Sequence, residues 1–100
     1  MAWFQIEDDS APRARECHSM TTVGSRIFVY GGNDEEFRFR DMHVLDTTRM
    51  KWSLFPAGPD APSFRSAHSA ALVDGARIFV FGGWDGQQEL GDLHALTCGR

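Results

Sequence analysis

The sequence predicts an all-β chain in which one small antiparallel sheet is written twice. Three observations carry this. The run Ile27-Phe28-Val29-Tyr30-Gly31-Gly32 returns as Ile78-Phe79-Val80-Phe81-Gly82-Gly83. The residues around each run keep step: Ala11-Pro12 with Ala61-Pro62, Arg15 with Arg65 and His18-Ser19 with His68-Ser69, all 50 apart. After them come Asp41 with Asp92, His43 with His94 and Leu45 with Leu96, 51 apart. Thirdly, no stretch shows a helical apolar period, whereas short β-branched and aromatic runs bounded by Gly, Pro and Asp recur.

The elements follow in order. Trp3-Phe4-Gln5-Ile6 aligns with Trp52-Ser53-Leu54-Phe55, and both read as an outermost strand. Glu7 to Pro12 is an acidic loop closed by a proline. Glu16 to Val23 is a strand carrying His18. Gly24-Ser25 turns the chain into the second strand, Arg26 to Gly31. That strand is apolar at successive positions, so both of its faces should be buried. Asn33 to Arg40 is a loop, Asp41 to Asp46 the third strand, and Lys51 to Phe55 the fourth. Pro56 to Pro62 holds three prolines in seven residues and is a loop. The cycle then restarts: Ser66 to Val73, Arg77 to Gly82, a loop from Trp84 to Gly91, and Asp92 to Leu96. One copy turns through Val23-Gly24-Ser25 and the other through Val73-Asp74-Gly75-Ala76, which accounts for the single-residue change in offset. Asp-Gly is a strong short-hairpin signal. Thr97-Cys98-Gly99-Arg100 closes the chain with no Trp-bearing fourth strand.

This ordered set resembles the kelch repeat: an Arg, a His three residues on, the apolar run with Gly-Gly, an Asp-x-His-x-Leu strand, and then Trp52. The period of about 50 residues is that of kelch. The resemblance covers nearly the whole chain and implies two four-stranded antiparallel blades of a partial β-propeller, the second lacking its own outer strand. Residues 1–6 are then an outer strand completing a preceding or partner blade. Residues 7–55 are repeat one, and residues 56–100 are repeat two, truncated before its outer strand. Closed propellers have about four to eight blades. Three arrangements answer that arithmetic: part of a longer propeller, a head-to-tail ring of which three copies give six blades, or an open two-blade sheet.

Composition excludes several classes. One hundred residues make one small domain, with 14 acidic and 10 basic residues and a net charge of −4. With one lysine and no basic cluster, a nucleic-acid footprint is not expected. No apolar stretch reaches spanning length, so no membrane segment is expected. The N-terminus turns acidic at Glu7-Asp8-Asp9 and does not read as a signal peptide. Cys17 and Cys98 occupy non-equivalent repeat positions and read as reduced thiols in a cytoplasmic or nuclear protein rather than a secreted one.

The four histidines tempt a metal reading. Because they form repeat-equivalent pairs, His18 with His68 and His43 with His94, a structural role is expected, and neither a metal nor any other cofactor is assigned. Gly31, Gly32, Gly82 and Gly83 permit a sharp exit from the strand. Trp3 and Trp52 are expected to pack between blades. Asp41 and Asp92 are expected to pin the loop before them through backbone N–H groups. Arg15 and Arg65 enter the first strand from the loop side. They could line a binding face and hold a carboxylate, or be tied to loop carbonyls or to a neighbouring blade's carboxylate. The loops after the glycines match in length but not in composition, as specificity loops on a repeating scaffold should. Phe37, Arg38, Phe39, Arg40, Trp84, Asp85 and Gln87 are therefore the expected partner-binding residues, together with Arg15 and Arg65. The alternative for Phe37, Phe39 and Trp84 is packing against their own blade.

The resemblance implies a non-enzymatic adaptor that binds a protein partner through one loop face. It also offers an alternative, a piece of a galactose-oxidase-like or other metal-dependent kelch enzyme. The copper site of the former needs two tyrosines, and Tyr30 is the single one here. The Glu-x-x-x-Asp-x-x-x-His iron pattern of related plant specifier proteins is absent. An active site would have to lie outside this chain.

Overall fold

The computed structural model describes residues 1–56 and 58–98. Ala57, inside the predicted proline loop, and Gly99 and Arg100, at the predicted end without a fourth strand, lie outside the described residues. Two antiparallel sheets form. The first holds β1 (Ser19–Val23), β2 (Arg26–Tyr30), β3 (Met42–Asp46) and β4 (Lys51–Phe55), in that spatial order. The second holds β5 (Ser69–Val73), β6 (Arg77–Trp84) and β7 (Glu89–Thr97), also in sequence order. These are the two predicted kelch-type blades, the second three-stranded.

Register decides which side chains meet. Ser19 pairs with Tyr30, Thr21 with Phe28, Tyr30 with Met42 and Phe28 with Val44. Because side chains alternate along a strand, these residues share one face of blade 1. On blade 2, Ala70 pairs with Val80, Val80 with His94 and Ile78 with Leu96, which places all five on one face. The core is the meeting of these two faces: Val23, Phe28, Tyr30, Met42 and Val44 against Ile78, Val80 and Cys98, with Ala70 and Leu96 packed alongside. Ile78 is 1% exposed, and burying such a side chain contributes about 1.5–3 kcal/mol.

The expected double burial of the second strands holds for β2, where Phe28, Val29 and Tyr30 are all buried. It does not hold for β6: Ile78 and Val80 are buried but Phe81 is exposed. Phe81 lies on the face of blade 2 turned away from blade 1, and no described element covers that face.

The strands are shorter at their starts than the sequence predicts. Glu16 and Ser66 touch the sheets only through isolated bridges, to Asn33 and Trp84 respectively, and regular pairing begins at Ser19 and Ser69. Cys17 and Ala67 intervene with φ of 58° and 56°, a left-handed kink at equivalent positions. Trp3-Phe4-Gln5-Ile6 lies outside any strand, with Trp3 and Phe4 fully or largely exposed. Among the described residues Trp3 packs against neither blade, because residues 1–6 meet no strand edge of this chain to pair with. Trp52 is half-buried on β4, opposite Leu45.

Candidate functional site

The site is built at the end of the blades where the double glycines stand. Both glycines of each pair have positive φ, 68° and 91° at Gly31 and Gly32, and 70° and 107° at Gly82 and Gly83. A Cβ on Gly32 would lie 2.6 Å from the Glu16 carbonyl oxygen, and one on Gly83 would lie 2.7 Å from that of Ser66. The glycines thus let the incoming chain pass against the strand exit.

Beyond them the chain does not form the open loops expected over 33–40 and 84–91. It continues as a hairpin in both copies. Phe39 N–H donates to the Gly32 carbonyl, and Asn33 bridges Arg38. In the second copy Gly83 pairs with Leu90 and Trp84 with Glu89. Each hairpin tip is held by an aspartate. Asp34 Oδ1 accepts from the N–H groups of Glu36 and Phe37 at 2.8 and 2.7 Å, and Asp85 Oδ1 does the same for Gln87 and Gln88. Donation from Phe37 N–H is the main influence holding the Asp34 carboxyl below the usual range, and donation from Gln87 N–H is the main one at Asp85. Asp85, expected to contact a partner, is therefore a cap for its own loop. Sequence reasoning missed this pair, although both aspartates stand 51 apart, in step with the repeat.

Arg15 and Arg65 do not line a binding face; they are tied to carbonyls and to a carboxylate, as in the second of the two readings, but the carboxylate belongs to their own blade. Their side chains are 4% and 0% exposed. Arg65 donates from Nη1 and Nη2 to the two carboxylate oxygens of Asp92, at 2.8 and 2.9 Å, and from Nη1 to the Gly82 carbonyl. Arg15 grips Asp41 and the Gly31 carbonyl in the same way. Neither guanidinium presents itself to a partner. Each carboxylate also meets a histidine two residues on, His43 Nε2 at 2.9 Å from Asp41 and His94 Nε2 at 2.7 Å from Asp92. Hydrogen bonds from Arg65 and then His94 hold the Asp92 carboxyl far below its ordinary range. Burial works to raise the Asp41 carboxyl, but Arg15 and His43 outweigh it. Asp41 and Asp92 thus take the arginine rather than the loop N–H groups expected of them. The Arg–Asp–His set appears in both blades, and each copy bonds a glycine carbonyl at the strand exit. It reads as a lock on the hairpin base.

The remaining residues of the expected face divide. Phe39 lies under Arg15, whose guanidinium carbon is 4.1 Å from its ring centroid, so it packs on its own blade. Phe37 is half exposed, with Arg13 stacked on it and ion-paired to Asp34. Trp84 and Gln87 are exposed. Arg38 reaches the Ser66 hydroxyl from Nε at 3.4 Å and lies over Gly86. Arg40 donates from Nη2 to the Ala61 carbonyl and lies 5.8 Å from the Phe64 ring centroid, while its Nε is buried without a partner among the described residues. Among the described residues neither Arg38 nor Arg40 makes an ion pair. Beside Arg40 a cleft of about 360 Å³ opens between the blades, lined by Tyr30, Met42, Pro59, Pro62 and Leu96 among others. The Tyr30 hydroxyl is buried there with no partner among the described residues, and burial raises its pKa, so it stays protonated. Sequence reasoning did not name Phe64 or Ser66 among the residues of this end of the molecule. A composition read as loop gave no sign that the crossover would roof a cleft.

Among the described residues no group of three His, Cys, Asp or Glu side chains is placed to hold a metal ion. No helix is long and apolar enough to cross a membrane among them.

Two antiparallel blades locked by repeated Arg–Asp–His sets define a propeller-type repeat protein. The chain belongs to the kelch-repeat family: a model of the KLHDC2/KLHL20/DRC7 Kelch-repeats domain matches residues 1–99. It is similar to Kelch domain-containing protein 2 of Bos taurus, 37% identical over 84 residues, covering 82% of this chain and 20% of the relative. It is likewise similar to Kelch domain-containing protein 3 of Homo sapiens, 33% identical over 84 residues, covering 81% of this chain and 22% of that protein. An N-(sulfonatooxy)prop-2-enimidothioate sulfolyase of Thlaspi arvense is 28% identical over 97 residues, covering 93% of this chain and 28% of the relative. The chain spans between a fifth and about 28% of the length of these relatives.

Proposed function

We propose that the chain is a non-enzymatic protein-interaction module that receives an acidic segment of a protein partner at the hairpin end of its blades. The observation that carries this is the contrast among the arginines. Arg15 and Arg65 are buried on carboxylates, and Arg13 is ion-paired. Arg38 and Arg40 stand on the same end without an acidic partner among the described residues. Around them lie exposed Phe37, Phe64 and Trp84. Arginine beside aromatic side chains is the usual make-up of an interface anchor, and a guanidinium without a carboxylate is set to take one from outside. The cleft beside Arg40 has room for an apolar side chain of the same segment. Kelch-family membership fits an interaction role.

The test uses fluorescence anisotropy with three labelled peptide pools of equal length, acidic, neutral and basic. The acidic pool should bind best, with affinity falling as salt rises and falling at least about tenfold in Arg38→Ala. Equal binding of all pools, or an Arg38→Ala variant that binds as the parent does, would overturn the reading.

The relative named as a sulfolyase supports a second reading, in which the two blades are scaffold for an enzyme whose reacting groups lie outside this chain. Turnover by a longer polypeptide that survives Arg38→Ala and Arg40→Ala would favour it.

A further inference from the structure

The two blades meet through one face of each, and each has a second face that no other strand of the described residues covers, although Val29 and Leu45 on that face of blade 1 are already buried. Call the face of blade 1 that carries Phe28, Tyr30, Met42 and Val44 its forward face. It is covered by the rear face of blade 2, which carries Ala70, Ile78, Val80 and Leu96. The repeat offset puts Phe79, Phe81, Leu93 and Ala95 on the forward face of blade 2, and Met20, Ile27, Val29 and Leu45 on the rear face of blade 1. Phe81 and Leu93 are 51% and 60% exposed, and on the rear face of blade 1 Met20 and Leu54 are 60% and 61% exposed. Apolar repeat equivalents of the residues that form the internal interface therefore stand in the same register on the two outer faces, exposed at Phe81 and Leu93 on one and at Met20 and Leu54 on the other.

The polar contacts agree. At the internal interface His68 Nε2 lies 2.8 Å from the Ser19 hydroxyl, and Ala67 N–H donates to the Cys17 carbonyl at 2.9 Å. The equivalents of His68 and Ser19 are His18 on the rear face and Ser69 on the forward face. Among the described residues neither side chain has a hydrogen-bond partner. One half of each contact is thus displayed at each end of the two-blade unit.

We propose that a second copy of this chain docks head to tail, its blade 1 seated on the forward face of blade 2. His18 of the incoming copy then meets Ser69, and its Met20 and Leu54 cover Phe81 and Leu93. Because the two patches differ, the contact is heterologous and can repeat until a ring closes. Three copies would give six blades, inside the range of about four to eight for closed propellers.

Sedimentation velocity of the full chain tests this, with far-UV circular dichroism as a check on folding. The parent should form a discrete oligomer. Leu93→Arg blocks only the forward face and Met20→Arg only the rear, so each alone should be monomeric. Mixed, they keep one intact pair of faces and should form a one-to-one dimer and nothing larger. His18→Ala should weaken that dimer about three- to tenfold, the loss of one hydrogen bond, and Ser69→Ala should add little on top of it. Should either arginine variant fail to fold, Phe81→Arg or Leu54→Arg takes its place. A folded parent that stays monomeric at all concentrations, or a mixture that yields no dimer, would overturn the proposal and leave these faces to other blades.

Discussion

His68 of blade 2 places Nε2 2.8 Å from the Ser19 hydroxyl of blade 1, with its ring 5.1 Å from that of Tyr30 at an interplanar angle of 68°. This one side chain therefore ties the two sheets together, through a polar contact and an edge-to-face aromatic contact. It does so in the neutral form. Burial, and then the positive charge of Arg65, pushes its pKa down to about 4.

The first expectation concerns acid. His68 binds a proton more readily in the unfolded chain, where its pKa is near 6.5, than in the fold. Stability from the neutral ring is thus complete above about pH 6.5 and is lost as pH falls toward 4, by about 1–2 kcal/mol once solvent screening of the partly buried ring is allowed for. Asp92 adds a separate loss only below about pH 4, where unfolded aspartates take up protons. Urea unfolding between pH 7.5 and 4.5 should show a falling midpoint in the parent and a flatter profile in His68→Gln. An equally steep profile in both would refute the assignment.

The glycine pairs give a second expectation. Gly32→Ala would set a Cβ at 2.6 Å from the Glu16 carbonyl oxygen with φ at 91°, and both insults fall on backbone. It should cost more than about 2 kcal/mol. Gly24 also has positive φ, at 60°, but no atom lies within 4 Å of the place a Cβ would take there. Gly24→Ala should cost only the left-handed penalty, about 1 kcal/mol. Thermal unfolding of both variants measures the gap, and equal losses would show that crowding at Gly32 is relieved.

Much of the fold was legible because the chain repeats itself. Two copies of Ile-Phe-Val-aromatic-Gly-Gly in register fixed the strand order, and the Asp74-Gly75 turn marked one hairpin. The site was legible less evenly. Arg15 and Arg65 were left between a binding face and a tie to carbonyls or a neighbouring blade's carboxylate, because the sequence around each names no partner. Their carboxylates lie 26 and 27 residues away, across a strand and a hairpin. The Arg, the Asp and the Asp-x-His step recur together, and that shared recurrence is the signal that pairs them. Asp34 and Asp85 were hidden because their neighbours differ. Arg38 and Arg40 stood out as loop arginines, but only the packed structure shows that no described carboxylate reaches them.

The thiols give a third expectation. Cys17 is exposed at its left-handed kink, whereas Cys98 is buried against the core, and burial raises its thiol pKa. A colorimetric disulfide reagent should modify Cys17 quickly in the native protein and Cys98 only on unfolding. Rapid labelling of both thiols would mean that the edge of blade 2 opens readily.

The last expectation sets Arg65 against Arg38, two arginines on the same end of the molecule with opposite duties. Arg65 is wholly buried and donates to Asp92, to the Gly82 and Ser63 carbonyls and to the Ser63 hydroxyl. Truncation to Ala leaves two carbonyls and a carboxylate without their donor, and the cavity cannot refill from solvent without disturbing the hairpin base. Loss of one member of a buried ion pair costs about 3–5 kcal/mol, and the partial exposure of Asp92 favours the lower end. Arg38 holds a single side-chain hydrogen bond, to the Ser66 hydroxyl. Arg38→Ala should therefore change stability by no more than about 0.5–1 kcal/mol. Binding of an acidic peptide should respond in the reverse order. The milder Arg65→Lys, measured where it is folded, should retain binding, because the guanidinium of residue 65 never reaches solvent, whereas Arg38→Ala should lose it. Denaturant titration and peptide anisotropy on these variants separate the roles. If Arg38→Ala proves as destabilising as Arg65→Ala, then Arg38 belongs to the lock and not to the binding face.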